Sequence, residues 1–141
     1  MQRTATGIAC GILITLALIT SLSACEKTSE PDYAGPITEE ILTAMNRGDY
    51  TQFSEHFDRP MRDALPEANF IELRDVIKPL IGDYVSKEFW KVEEQEEHTI
   101  VRYNTKYTEE TADVIVTVSF QEIEGQIYVS GVWFDSPKLR K

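Results

Sequence analysis

Cysteine is scarce in this chain of 141 residues, with one at position 10, one at 25 and none beyond. Histidine is as rare, only His56 and His98. Basic charge is outweighed, 14 Lys and Arg standing against 24 Asp and Glu for a net charge of −10 at neutral pH. From residue 26 onward there is no thiol, which excludes disulfides, cysteine nucleophiles and thiolate metal sites together. Two histidines without a His-x-x-x-His spacing leave zinc dependent on carboxylates converging from separate elements, and no metal is expected. The acidic run Glu93 to Glu97 lacks the alternating Asp/Asn and the glycine of a calcium loop, and reads as a solvated hairpin end. No glycine-rich phosphate loop and no Gly-x-Ser-x-Gly elbow is present, so no catalytic residue and no cofactor is assigned from motifs. An acidic exterior repels phosphate backbones and anionic headgroups, which disfavours nucleic acid as a partner.

Long apolar stretches are also missing, except at the start. Arg3 precedes an apolar run from Ile8 to Leu22, and Ser23, Ala24 and Cys25 close it. A charged start, an apolar middle and a small-residue exit make a secretory signal peptide. The ending Leu22-Ser23-Ala24-Cys25 resembles the lipobox of bacterial lipoproteins, which implies cleavage after residue 24 and acylation of Cys25. An uncleaved anchor fits less well. The 16 residues from Gly7 to Leu22 fall short of a membrane span, and no basic cluster follows them. Plain secretion would not need a cysteine there. The expectation is an extracytoplasmic domain held to a membrane of the cell envelope by its N-terminal lipid, not by a basic patch. Without residues 1–24 the chain has 13 basic and 24 acidic residues, a net −11.

Residues 25–35 carry polar side chains with Pro31 and Gly35 and read as the lipidated cysteine and a flexible tether. Residues 36–141 are the size of one domain. A first helix starting near Pro36 or Thr38 places Ile37, Ile41, Leu42 and Met45 on one stripe, and Gly48 stops it. Asp49 with Gln52 looks like a capping box opening a second helix with Tyr50, Phe53 and Phe57 on its apolar face. A helical turn over Pro60 to Leu65 follows. A third main helix has Pro66 in its first turn and Phe70, Leu73, Ile77, Leu80 and Ile81 at helical spacing. Pro79 is expected to bend or end it before Gly82. The period then changes to two, over Tyr84–Val92, Thr99–Tyr107, Ala112–Ile123 and Gln126–Phe134. Short connections, with Glu124-Gly125 as a tight turn, predict an antiparallel meander. Helices followed by strands give an α+β class with the helices on one face of the sheet.

This order resembles the NTF2-like, or cystatin-like, α+β cone. Residues 37–86 further resemble a family of small secreted or lipid-anchored domains of unknown function. The likeness rests on Met45-Asn46-Arg47-Gly48-Asp49-Tyr50, Phe53, Phe57-Asp58, Met61, Ala64-Leu65-Pro66, Phe70 and Gly82-Asp83-Tyr84-Val85-Ser86. The resemblance implies the fold and an extracytoplasmic setting, and transfers no catalytic residue. It does keep open a proton-transfer enzyme of isomerase or dehydratase type, using an acid and a tyrosine inside the cone.

Alternation assigns Val101, Tyr103, Thr105 and Tyr107, then Val114, Val116, Val118 and Phe120, then Ile127, Val129 and Trp133 to the concave, helix-facing side. In the first strand Tyr84, Trp90 and Val92 share a face with Glu88, the one strand acid with access to the pocket. Tyr84, Glu88, Trp90, Tyr103, Tyr107 and Trp133 are therefore the candidate pocket residues, for a small apolar ligand or as core packing. Ile100, Ile115, Tyr128, Val132 and Phe134 are expected on the outer face, as a surface for a homodimer or an envelope protein, unless the C-terminal tail folds over it. Cys25→Ser is expected to move the protein out of the membrane fraction. Retention there, read by fractionation and immunoblot, would assign the anchor to the apolar run itself.

Overall fold

A computed structural model describes residues 29–141, so the apolar run, Cys25 and the first residues of the tether lie outside the described residues. Helix α1 (Ala34–Arg47) buries Ile37, Ile41, Leu42 and Met45, the stripe read from the sequence. Gly48 closes it at φ 71°, a left-handed conformation that costs glycine little. Asp49 caps α2 (Tyr50–Phe53), its carboxylate accepting the Gln52 N–H at 3.1 Å. This helix is a single turn, shorter than the sequence suggests. Phe57 lies beyond it in a parallel bridge to Val129, with the Val129 N–H donating to His56 O at 2.7 Å and the Asp58 N–H to Val129 O at 2.9 Å. Free backbone groups on a strand edge outcompete a second helical turn here. Asp58 then caps α3 (Arg59–Ala64) by accepting the Met61 N–H at 2.8 Å.

Helix α4 (Glu67–Ile81) begins one residue after Pro66, which occupies the cap position. It buries Phe70, Ile77 and Ile81, whereas Leu80 is exposed, contrary to the sequence stripe. Pro79 neither ends nor shortens it. A proline here removes one donor in the final turn, on a stretch where Asp75 and Val76 face water, so hydration can replace the lost bond.

The sheet is a four-stranded antiparallel meander: β1 (Tyr84–Gln95), β2 (His98–Tyr107), β3 (Glu110–Ile123) and β4 (Gln126–Asp135). Glu124 and Gly125, both at positive φ, form the tight turn between the last two. The inner rows of β2 and β3 are as the alternation requires, with Val101, Tyr103, Thr105, Tyr107, Val114, Val116, Val118 and Phe120 all buried. On this face lie the helices and a cluster of Phe53, Phe57 and Phe70, whose rings meet at centroid distances of 5.1 and 4.5 Å. Such pairs add about 0.5–1.5 kcal/mol each beyond their burial.

The outer strands depart from simple alternation because β4 carries one bulge and β1 two. Phe120 pairs with Val129 but Ser119 pairs with Gly131, leaving Ser130 as the extra residue. Beyond it the phase inverts. Val132 and Phe134, opposite Val118 and Val116, turn inward against the core, and Trp133, opposite Thr117, turns out to 55% exposure. In β1, Phe89 pairs with Tyr103 and Lys91 with Arg102, which makes Trp90 the extra residue. Val85 is a further extra residue, between Tyr84 opposite Tyr107 and Ser86 opposite Lys106. Phe89 therefore takes the inner place that period two gives to Trp90, and Glu88 lies opposite Asn104 on the outer face.

Asn46 joins the two layers. Its side-chain amide accepts the Tyr84 N–H at 2.8 Å and donates to Tyr84 O at 2.9 Å, as a neighbouring strand would. Asn46→Ala leaves both backbone groups unpaired and is expected to lower stability by on the order of 2 kcal/mol. The check is a fall in urea midpoint at an unchanged slope.

Candidate functional site

Of the six candidate pocket residues, the fold brings three together. Tyr84, Tyr103 and Tyr107 are buried on the inner face. Glu88, Trp90 and Trp133 are exposed, and the bulges at Val85, Trp90 and Ser130 are the reason. Glu88 lines a surface hollow on the outer face with Ser86, Asn104, Lys106 and Asp113. A pairing of Glu88 with an inner tyrosine is therefore not formed.

The acids facing the tyrosines come from the other layer. Tyr84 donates its hydroxyl to Glu39 Oε2 at 2.7 Å, and Lys87 Nζ stands 3.2 Å from the same oxygen. Tyr103 donates to Glu30 Oε1 at 2.6 Å. Gly35 permits that approach, because a β-carbon there would lie 2.7 Å from the same carboxylate oxygen. Lys87 is mostly covered, its ammonium 5.6 Å from the centre of the Tyr103 ring. Thr38, fully buried on α1, has a hydroxyl with no partner of good geometry. Glu30, Glu39 and Lys87 are residues that strand alternation misses. Two lie on or before α1, and Lys87 reaches the inner face only because Val85 is bulged in β1.

Burial raises the hydroxyl pKa of all three tyrosines. A hydrogen bond to Glu39 adds to the effect at Tyr84 and one to Glu30 at Tyr103, since each carboxylate opposes a phenolate beside it. Tyr84 and Tyr103 are neutral donors, already committed to carboxylates, whereas burial alone acts on Tyr107.

The open end of the cone lies between the start of α1 and the hairpin ends. A hollow of about 330 Å³ there has Tyr33, Phe120 and Ile127 as its apolar wall and Glu94, Glu96, Glu97 and Glu122 around it. Tyr33 sets its edge on Phe120 at a centroid distance of 5.2 Å. Thus the described end of the segment expected as a tether packs on the domain, and α1 begins at Ala34, two residues before Pro36. At the opposite end a crevice between Met45, Arg74, Ile77 and Tyr107 has a volume of about 10 Å³, enough for one water at most.

On the outer face Ile100, Ile115 and Tyr128 remain, half-buried, while Val132 and Phe134 have gone inward and the exposed Trp133 has taken their place. The C-terminal tail turns toward the core side, with Leu139 packed against it and the Lys138 N–H on the Glu110 carboxylate at 3.2 Å.

A family model described as "Protein of unknown function (DUF3887)" matches residues 38–125. Among solved structures, the chain is similar to a DUF4783 family protein from Bacteroides ovatus, at 14% identity and a TM-score of 0.46. That match covers 69% of this chain and 92% of the other. It is also similar to an NTF2-like protein of unknown function from Cytophaga hutchinsonii, at 13% identity and a TM-score of 0.37, covering 74% and 92%. Curated proteins give no match.

The tyrosines set an alkaline limit. Their folded pKa values lie above the unfolded value of about 10, so their contribution is complete below that pH and is lost as pH rises beyond it. Melting temperature is expected to fall steadily above about pH 10, and Tyr107→Phe to flatten the fall.

Proposed function

The chain belongs to the DUF3887 family of proteins of unknown function, and from that premise and the cone's geometry we propose a membrane-anchored extracytoplasmic lipoprotein whose domain is a binding module. The address rests on the first 25 residues, with the lipid on Cys25 as the membrane partner. Two acyl chains on that thiol meet the requirement for stable anchoring that one chain does not.

The observation that carries the binding reading is the hollow at the open end of the cone. Its volume of about 330 Å³ lies at the lower limit for small-molecule sites, and Tyr33, Phe120 and Ile127 give it an apolar wall. The four acids around it select against anions, so the ligand class is a small apolar molecule that is neutral or cationic. The outer sheet face, with Ile100, Ile115, Tyr128 and Trp133, is the surface we assign to a second copy or to an envelope protein.

A proton-transfer enzyme is the second reading, favoured by the Glu30–Tyr103 and Glu39–Tyr84 pairs. It is the weaker one, because acid and hydroxyl bond each other directly where a substrate would have to stand between them.

Native mass spectrometry of residues 26–141, purified gently, is the test. A retained small molecule, lost in Tyr33→Ala more than stability is lost, supports the hollow as the site. Equal losses of ligand and stability would make Tyr33 plain core. A bare dimer would move the function to the outer face.

A further inference from the structure

We infer that Glu40, Glu55 and His56 form a binding site for one divalent transition-metal ion of the zinc class. The site is separate from the hollow described above. Sequence spacing alone argues against a metal here, since zinc would need carboxylates converging from separate elements. That convergence occurs. Glu40 comes from α1, Glu55 and His56 from the turn after α2, and one ligand atom of each lies within 4.8 Å of the others.

His56 Nε2 and Glu40 Oε2 are already 2.9 Å apart. Ligand atoms about 2.0–2.2 Å from a tetrahedral zinc stand about 3.4 Å from one another, so the His56–Glu40 pair has to open slightly and Glu55, which is exposed and can turn, to close in. The backbone carrying the ligands is fixed. His56 O accepts the Val129 N–H at 2.7 Å, and Phe57 is bridged to the same residue. Glu40 precedes the buried pair Ile41 and Leu42.

Charge points the same way. Several other acids of the domain are met by a Lys or Arg: Glu39 by Lys87, Glu93 by Arg102 and Lys91, Asp113 by Lys106, Asp135 by Arg140. Among the described residues no Lys or Arg forms an ion pair with Glu40 or Glu55. Arg62 approaches the same turn, but its guanidinium donates to the carbonyls of Glu55 and Phe57 at 2.9 and 3.2 Å. Glu40 and Glu55 bring two carboxylates to the cluster with no lysine or arginine paired to them, a charge that a divalent cation would balance. An imidazole with two carboxylates suits zinc and its neighbours in the transition series better than calcium or magnesium, which prefer all-oxygen shells. Three protein ligands at a partly exposed position leave room for water in the fourth.

The test uses the full chain in detergent, free of a histidine tag, with Cys10→Ser and Cys25→Ser in every preparation so that no thiol competes. After chelator treatment, zinc titration by calorimetry is expected to give one ion per chain, bound at least about tenfold more weakly in His56→Gln and in Glu40→Gln. Cobalt is expected to give the visible bands of a four-coordinate ion, absent from His56→Gln. A Glu96→Gln/Glu97→Gln variant, altered in the acidic hairpin, is expected to bind as the parent does. Circular dichroism checks folding, and if His56→Gln fails to fold, Glu40→Gln decides. Unchanged zinc affinity in a folded Glu40→Gln overturns the site. Loss in the hairpin variant relocates the ion and also overturns it, and calcium binding as tight as zinc overturns the metal class.

Discussion

The helix layer and the sheet are registered against each other by the side chain of Asn46, which pairs with both backbone groups of Tyr84. Around this pair the chain must end one helix, begin another and enter a strand within a few ångströms. Arg74 from α4 donates to Met45 O at 2.8 Å and to Asn46 O at 3.0 Å, so carbonyls of the last turn of α1 are met by a cation. Gly82, at φ 80° and ψ −145°, then turns α4 into β1 beside Thr108, whose hydroxyl would stand 2.1 Å from any added β-carbon. Asn46, Gly48, Gly82 and Tyr84 all fall within the stretch that carried the family resemblance, and their shared purpose is this junction.

With β1 so placed, Tyr84 comes within reach of Glu39, and Tyr103 on the neighbouring strand β2 faces Glu30. The interior of the cone is therefore not purely apolar. It holds the neutral phenols of Tyr84 and Tyr103, whose donors are taken by Glu39 of α1 and by Glu30 just before it, with Lys87 balancing Glu39. That arrangement satisfies buried polar atoms at a cost in reactivity. A group already bonded to its complement binds and orients more readily than it transfers protons.

Much of this was legible in advance where the physical signal is local. The stripe of α1, the left-handed Gly48, the caps at Asp49, the four strands and the inner rows of β2 and β3 all depend on neighbours a few residues away. The failures have one cause in the sheet. A bulge inserts one residue and inverts every face beyond it, so Trp133 and Val132 exchange sides after Ser130, and Phe89 replaces Trp90 in the core after Val85. Period-two reading has no means of seeing an extra residue whose own side chain is compatible with either face. The partners of the tyrosines were hidden for a different reason. Glu30 and Tyr103 are separated by 73 positions, and Glu39 and Tyr84 by 45, so only the packed fold relates them.

Glu30 also has a consequence for distance. Five peptide steps separate it from Cys25, a reach of at most about 18 Å when fully extended. Because its carboxylate is held on Tyr103, a lipid at Cys25 would act as a short leash and not as a long one. The domain would then ride close above the bilayer, with the start of α1 turned toward it. A molecule leaving the membrane would meet the open end of the cone first, and the outer sheet face would stay free to meet whatever stands alongside.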